Sequence, residues 1–135
     1  MRALNVRFPS SDLTVIAALR GGLTSWSGLT VGRKLPPLTS MTRRMIIVRN
    51  DSGPVEGVQS RRRYGFNGWA DSSVDAENLL LDAMAVLQVA ADGNPITFTD
   101  AFSGPYEIDD ETPYVVGGKR LYHFYFTCRI SVRGQ

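Results

Sequence analysis

The sequence contains one histidine, His123, and one cysteine, Cys128, and these two side chains are the best suited to nucleophilic chemistry. A catalytic pair of this kind requires the nucleophile and its base to lie within hydrogen-bond reach. Both residues fall in one predicted β-strand, where an odd spacing in sequence places two side chains on opposite faces of the sheet. The pattern therefore argues against catalysis by this pair. It favours a histidine that faces solvent or an interface, and a buried thiol that acts as a small apolar residue.

Two further segments have residue types that can bind ions. Asp109, Asp110 and Glu111 could hold a hard cation, but their spacing matches no calcium loop and Pro113 interrupts any extension. The segment 117–119, Gly-Gly-Lys, lacks the upstream glycine and the following Ser or Thr of a phosphate-binding loop, so it predicts a turn. The sequence has neither a dinucleotide-binding motif nor a Cys/His metal cluster. We therefore predict a protein that is not an enzyme and binds no metal or cofactor.

Six arginines fall on one predicted β-hairpin, namely Arg43, Arg44, Arg49, Arg61, Arg62 and Arg63. Together they could form a basic patch that contacts phosphates or an acidic protein surface. Strand alternation directs Arg61 and Arg63 towards solvent or a partner and lays the Arg62 stem beside aromatic rings. The alternative is that these charges only keep two exposed strands soluble.

The hairpin that would position these arginines lies near the middle of the chain. Apolar residues on both faces predict a strand over residues 43–49, turn residues fill 50–54, and a return strand follows over 55–69. Before the hairpin, Ser10 or Ser11 can cap a short helix that ends at Gly21-Gly22. Residues 23–31 offer a loop and a short strand, and Pro36-Pro37 mark a connector.

A long helix is predicted directly after the hairpin, over residues 72–91. Ser72 or Ser73 can cap its first turn, and the segment 92–95, Asp-Gly-Asn-Pro, ends it. At helical spacing one wide apolar face is formed by Ala76, Leu79, Leu80, Ala83, Met84, Leu87, Ala90 and Ala91.

Leu81, Ala85 and Val89 form a second apolar stripe on the far side of the same helix. A helix that covers one face of a sheet does not need this stripe. Either the first helix covers it within the monomer, or a neighbouring subunit covers it. The three residues are therefore candidates for a subunit interface.

The remaining chain is predicted to complete an antiparallel sheet. A short strand covers residues 96–99, and a final strand over 120–133 alternates apolar and polar residues, as expected for a half-buried strand near the centre of a sheet. Between them, residues 103–119 form a long predicted loop, and such loops often contact partners. The candidate contact residues in this loop are Gly104, Pro105, Asp109, Asp110, Glu111 and Pro113. The predicted class is α+β, with a long β-hairpin in a mainly antiparallel sheet and two α-helices packed on one face, as a single domain over 1–135.

Composition supports an ordinary globular protein. Apolar residues make up 43% of the chain and charged residues 21%, while a net charge of +2 is too small to indicate nucleic-acid binding by itself. The single cysteine fits a reducing compartment, and no apolar run is long enough for a membrane span. The N-terminal residues do not form a charged-then-apolar leader, so we expect a product made in the cytoplasm without a membrane partner.

The layout of the chain resembles the tail terminator, or tail-completion, proteins of long-tailed bacteriophages. An early helix precedes a hairpin whose second strand is rich in arginine and ends at Trp69-Ala70, and a helix rich in alanine and leucine follows. The other positions that carry the resemblance are Ala76, Glu77, Leu80, Gly104-Pro105, Asp109, Pro113, Arg120, Tyr122, Phe126-Thr127 and Arg133. The resemblance covers nearly the whole chain, although these proteins share shape more than motif.

The resemblance implies a structural role in the virion, in the tail and neck region. Such proteins form a hexameric ring on the head-proximal end of the tail tube, where they stop addition of the major tail tube protein and join the head–tail connector or stopper protein. Double-stranded DNA passes through the ring without sequence-specific binding, so the basic hairpin could face this channel or a partner. The alternatives are another neck component, a tube subunit, or a small nucleic-acid-binding domain that uses the basic hairpin.

Overall fold

A computed structural model describes residues 11–52, 55–56, 59–90 and 96–133 of the chain. In these ranges the two helices are α1 (Ser11–Gly22) and α2 (Ser73–Ala90), and a one-turn 3-10 helix covers Leu38–Ser40. The strands are β1 (Leu29–Gly32), β2 (Arg44–Ser52), β3 (Val55–Glu56), β4 (Gln59–Ala70), β5 (Ile96–Ile108), β6 (Val115–Val116), β7 (Lys119–Arg120) and β8 (Tyr122–Arg133).

The main sheet has the strand order β1-β2-β4-β8-β5, and β3 folds back on the start of β4. All of its pairs are antiparallel except β1 with β2, which is parallel. The predicted hairpin is confirmed as the β2–β4 pair, which runs from Met45 opposite Trp69 to Ser52 opposite Arg63. The short strand expected before it is β1. The predicted α+β class is confirmed.

The start of α2 follows from local chemistry. The Ser72 side chain accepts a hydrogen bond from the Asp75 backbone N–H at 3.1 Å, which satisfies one of the amides that the first helical turn leaves without a partner. Asp75 also puts negative charge in that turn, where the helix dipole favours it. The predicted stop at residues 92–95 lies outside the described residues, as do Ala91 and Ser10.

Both helices pack on one face of the sheet and enclose the main core. From α2, the residues buried there are Ala76, Leu79, Leu80, Ala83 and Leu87. They meet the inward-facing residues of β4 and β8, where the rings of Phe66 and Phe126 stack with centroids 4.5 Å apart. Val15, Ile16 and Leu19 of α1 close the same core near β1 and β2. The predicted apolar face of the long helix is thereby confirmed for these residues.

The strand β8 lies between β4 and β5, at an interior position in the sheet. Its alternation is confirmed: Phe124, Phe126, Cys128, Ile130 and Val132 are buried on the helix side. His123, Tyr125, Thr127 and Arg129 fall on the opposite face of the sheet and are only partly exposed. This opposite side is called the open face below.

The region after α2 differs from the sequence prediction. The expected short strand and the first part of the expected loop form one strand, β5, which includes Gly104 and Pro105. Register shifts lie between Asp100 and Ser103 and between Ser103 and Tyr106, so the strand continues through the proline with local irregularities. The prediction of a long loop failed because a proline is tolerated in an edge strand, where its missing N–H breaks no pairing. Only the connector after Ile108 remains irregular.

A small second cluster covers one end of the open face. Met45, Ile47, Trp69 and Leu121 are buried there beneath the β6–β7 hairpin. The predicted turn at Gly117-Gly118 joins these two strands, and both glycines have positive φ, 61° and 77°, which residues with a side chain rarely adopt. Neither helix in the described ranges combines the length and apolar character that crossing a bilayer requires.

Replacing Gly68 by alanine is expected to lower the free energy of unfolding by about 1–3 kcal/mol, the usual cost of overpacking. The new Cβ would lie 2.7 Å from Leu80 Cδ2, so either the buried Leu80 side chain or α2 would have to shift. Gly21→Ala is the matched control, because a Cβ at that position meets nothing within 4 Å. Urea denaturation measures both. Equal stability of the Gly68→Ala protein and the wild type would contradict this close contact between helix and sheet.

Candidate interaction surfaces

The outer side of α2 carries an exposed apolar stripe. The fractional exposure is 43% for Leu81 and 77% for Val89, and Ala85 between them is exposed as well. Val74, at 64% exposure, extends the same stripe by two helical turns. We call Val74, Leu81, Ala85 and Val89 the outer stripe.

The first helix does not cover the outer stripe. Contact between the two helices occurs instead near Gly22, where an added Cβ would lie 2.5 Å from Val86 Cγ1. The Trp26 indole N–H donates to Asp82 at 2.8 Å, on the side of α2 next to the stripe. Covering of the stripe by the first helix is therefore wrong for the described residues, and the stripe is exposed on the surface.

The hairpin arginines do not form one patch, in contrast to the sequence prediction. Arg43 donates to Asp71 at 2.6 Å, while Arg44 points to the helix side and lies over the Trp26 ring at 5.1 Å. Arg49 and Arg63 reach the open face further along the strands. Arg61 pairs through its backbone with Ser131, but its side chain lies outside the described part of the structure. The described arginines are separated because Arg44 lies on the helix side of β2, and because Arg43 lies at the end of the strand, away from Arg49 and Arg63.

Arg49 belongs to a compact cluster on the open face. Its Nε donates to Asp51 at 2.6 Å and its Nη2 donates to the Tyr125 hydroxyl at 2.9 Å. The hydrogen bond that Arg49 donates to Asp51 is the main cause that raises the pKa of Arg49. Gly65 makes room for the cluster, since a Cβ there would lie 2.7 Å from the Tyr125 oxygen. The charge of Arg49 is thus largely balanced within the chain.

The neighbouring row of the open face holds Arg63 opposite Arg129. Arg129 donates from Nε to Asp100 at 2.8 Å, and this hydrogen bond raises the pKa of Arg129. Arg63 is exposed, and no ion pair joins it to another residue in the ranges that the structure describes. Arg63 is therefore a predicted outward-facing arginine whose described side chain is open to a partner.

A polar cleft opens at the end of the sheet where β2 begins and β4 ends. It has a volume of about 340 Å³ and is lined by Ser27, Gly28, Thr42, Arg43, Arg44 and Asp71. The described hydrogen bonds use one N–H group of each guanidinium, Arg43 Nε to Asp71 and Arg44 Nη1 to the Ser27 carbonyl. Two guanidinium groups and one carboxylate leave the cleft with a net positive charge. We call it the arginine cleft.

The acidic connector, residues 109–114 between β5 and β6, lies at the same end of the sheet but beside the opposite edge strand. Asp109 and Glu111 are exposed, and Pro113 is partly buried. Asp110 turns inwards and accepts from His123, with its Oδ2 3.0 Å from the ring Nδ1. Gly104 and Pro105 lie further back in β5, so they are separate from the acidic residues as a contact surface.

His123 is held in place on three sides. Its Nδ1 faces Asp110, its Nε2 faces the Asn67 oxygen at 2.8 Å, and its ring stacks on Trp69 with centroids 4.3 Å apart. The histidine side chain is only 12% exposed, so of the two alternatives, solvent or an interface, the solvent-facing histidine is wrong. In this arrangement it anchors the acidic connector to the sheet. Cys128 lies on the other face, as the strand spacing predicted.

Burial raises the pKa of the Cys128 thiol to about 12, with a further contribution from the negative charge of Asp100. An unfolded thiol loses its proton near 9.0, whereas the folded thiol keeps it up to about 12. The folded state therefore binds more protons in this window. Its stability is fully present below pH 9 and falls by about 1.4 kcal/mol per pH unit above it.

Urea denaturation at pH 8, 9, 10 and 11 tests this expectation, with Cys128→Ala as the matched control. The alanine variant has no thiol to ionise. The difference between the free energies of unfolding of the wild type and of Cys128→Ala is therefore expected to shrink as pH rises. A difference that stays constant from pH 8 to 11 would show that the folded thiol ionises as readily as an unfolded one.

Sequence reasoning missed several residues that shape these surfaces. Asn67, Tyr125 and Arg129 lie on the open face, and the polar phase of the final strand was the signal for the last two. Asp71 lines the arginine cleft and the Trp26 ring lies against Arg44, through tertiary contacts that no local pattern shows. Among the described residues, no group of three or more His, Cys, Asp or Glu side chains could hold a metal ion.

The fold and these surfaces define a small α+β structure with both helices and the main core on one side of the sheet, and a mostly polar, partly covered face on the other. A comparison with known protein families finds none whose pattern matches the chain, and a search of curated proteins finds no significant match.

Proposed function

We propose that this chain is a structural virion protein that forms a closed, hexameric ring on the head-proximal end of a bacteriophage tail tube. The ring ends polymerisation of the major tail tube protein and presents the surface that joins the head–tail connector or stopper protein. Double-stranded DNA passes through it without sequence-specific binding. This role requires shape and complementary surfaces, and it requires no bond-making chemistry.

The observation that carries the proposal is the outer stripe, considered together with the resemblance of the sequence layout. A helix whose inner face is fully used in the core leaves Val74, Leu81 and Val89 exposed on its outer side. Exposed apolar side chains aligned along a helix are a common feature of surfaces that bind another protein. A ring gives each copy a neighbour that can cover such a stripe.

The distribution of charge also supports a protein that assembles with several partners. A closing ring uses a heterologous interface, so the two lateral edges of each copy must differ from one another. The edge at β1 and β2 carries the arginine cleft, and the β5 edge leads into the exposed Asp109 and Glu111. The two ring faces remain available for the tube and for the connector.

Deletion of the gene from the parent phage is the direct test. Loss of a tail terminator is expected to give tails of uncontrolled length that do not join heads, visible by electron microscopy of negatively stained lysates. Supplying the wild-type protein from a plasmid is the control and should restore tails of normal length. Tails of normal length joined to heads in the deletion phage would contradict the proposal.

The same experiment separates the alternatives in the neck and tail. A stopper would leave tails of normal length beside heads that fail to join them. A tube subunit would leave no tube, and quantitative mass spectrometry of purified virions would find it in far more copies than a ring protein.

One observation favours a second function, binding of nucleic acid. Arg49, Arg63 and Arg129 share the open face with Tyr125, and arginines interleaved with aromatic rings are suited to phosphates and bases. Asp51 and Asp100 balance two of these charges, which weakens this reading. A binding constant for DNA that falls steeply as salt rises would favour it. Purified virions that do not contain the protein would fit nucleic-acid binding and would not fit a ring protein.

A further inference from the structure

We infer that the arginine cleft of one copy receives the acidic connector of the next copy, so that Asp109 and Glu111 pair with Arg43 and Arg44 across the subunit interface. The inference rests on the proposed ring and names the contact that closes it. The occupant is a second copy of this chain, and the recognition is between carboxylates and guanidinium groups.

The arginine cleft has the features of a carboxylate site. Arg43 and Arg44 both line it, and the described hydrogen bonds occupy only one N–H group of each. Asp71 offsets one of the two positive charges and holds Arg43 in place at 2.6 Å. The second positive charge is not balanced by another lining residue, so an incoming carboxylate completes the site. A volume of about 340 Å³ leaves room for acidic side chains rather than a single ion.

The acidic connector has the complementary features. Asp109 and Glu111 are exposed, and no ion pair engages them within the described ranges. The segment is nevertheless fixed in position, because Asp110 is anchored to His123 and Tyr114 packs edge-on against Trp69. A pre-positioned acidic segment loses little conformational freedom on binding, which favours association.

Among the described residues, no ion pair joins the connector to the cleft of its own chain. β2 and β5 are separated by β4 and β8, so the start of β2 and the end of β5 lie about 14 Å apart, three strand spacings of about 4.8 Å. Antiparallel pairing along β2, β4, β8 and β5 brings both features to the same end of the sheet. They therefore lie at the same height on opposite lateral edges.

This placement is what a head-to-tail contact needs. When one edge of a protomer binds the opposite edge of the next, the contact is heterologous, and repetition of it produces a ring if the rotation closes. Like edges would instead meet with like charge, so the same residues disfavour a two-fold dimer through either edge.

Charge reversal in two complementary variants tests the contact. The first is Arg43→Glu, and the second is Asp109→Lys combined with Glu111→Lys, which changes only exposed side chains and so keeps the test valid if the first folds poorly. Assembly is measured by sedimentation velocity and by electron microscopy, with and without purified tail tubes. Each variant alone is expected to lose ring formation, with association weakened at least about tenfold. Its melting temperature should remain close to that of the wild type.

An equimolar mixture of the two variants is the decisive sample. In each variant alone, every interface brings groups of like charge together. In the mixture, an interface between the two different variants pairs either the native arginine cleft with the native acidic connector, or the introduced glutamate with the introduced lysines. Rings that form only in the mixture, with the two variants alternating, support the inference. Rings formed by the Asp109→Lys/Glu111→Lys variant alone overturn it, as does a mixture of folded variants that stays unassembled.

The outcome also separates this inference from the proposed function. If the gene deletion gives tails of uncontrolled length while the Asp109→Lys/Glu111→Lys variant still forms rings, the proposed ring stands and only this contact is wrong. If the wild-type protein forms no ring with or without tubes, and the deletion phage has normal tails, both are wrong. If Arg43→Glu loses assembly but Asp109→Lys/Glu111→Lys does not, the arginine cleft binds another occupant and the inference is overturned.

Discussion

Replacing Phe126 by alanine is expected to lower the free energy of unfolding by about 3–5 kcal/mol, the usual range for truncating a buried phenylalanine. Phe126 is fully buried on β8, stacks on Phe66 at 4.5 Å, and lies near Phe102 with ring centroids 6.4 Å apart. Removing the ring leaves a cavity between the sheet and α2 that rigid neighbouring strands cannot close. This loss is a large fraction of the stability of a typical domain, about 5–15 kcal/mol.

Chemical denaturation monitored by tryptophan fluorescence measures the effect. Tyr106→Ala is the matched control, because Tyr106 is an aromatic residue of the neighbouring strand that is 54% exposed. Its removal should change stability by less than about 1 kcal/mol. If the two variants lose similar stability, the helix side of the sheet is not the centre of the core.

Replacing Leu81 or Val89 by lysine is expected to abolish assembly while leaving the monomer as stable as the wild type. Both side chains lie in the outer stripe, so a lysine there would bring a charge into an apolar contact with a partner. Truncation of a hot-spot residue near the centre of an interface costs about 2 kcal/mol or more of binding free energy. In the monomer the change is mild. Leu81→Lys would stand four residues after Glu77, which adds a favourable helical pair, and Val89→Lys places positive charge near the end of α2.

Complementation of the deletion phage and sedimentation of the purified variants measure assembly, and thermal unfolding measures the monomer. Leu13→Lys is the control, since it changes an exposed leucine of α1 at 60% exposure in the same way. It should assemble normally. If the substitutions lower the stability of the monomer as much as they weaken its association, the outer stripe lies inside the fold. If both variants assemble normally, the outer stripe has no partner.

Much of the helix side of the molecule was predictable from local patterns. The spacing from Ala76 to Leu87, the Ser72 cap and the alternation from Tyr122 to Val132 each specify one element and the face that it buries. These signals are strong because helical and strand periodicity repeat over many residues and all indicate the same core. The sequence left open whether the first helix covers Leu81 and Val89. Only the packing of α1 in the structure shows that it does not.

The functional surfaces were less predictable. Gly104 and Pro105 suggested a loop, but they lie in β5 because an edge position tolerates both. The six hairpin arginines suggested one patch, but strand alternation and the ion pairs of Arg43 and Arg49 divide them between separate surfaces. His123 suggested a surface residue, but Trp69, Asn67 and Asp110 enclose it from three other segments.

The sequence by itself determined the order of elements, the α+β class and which side of α2 and β8 is buried, because periodicity and capping act over a few neighbouring residues. Tertiary structure alone decided that the arginine cleft and the acidic connector lie at one end of the sheet on opposite edges. That arrangement depends on the strand order β1-β2-β4-β8-β5, which joins residues far apart in sequence. Strand order is set by the packing of the whole sheet, so no local pattern contains it.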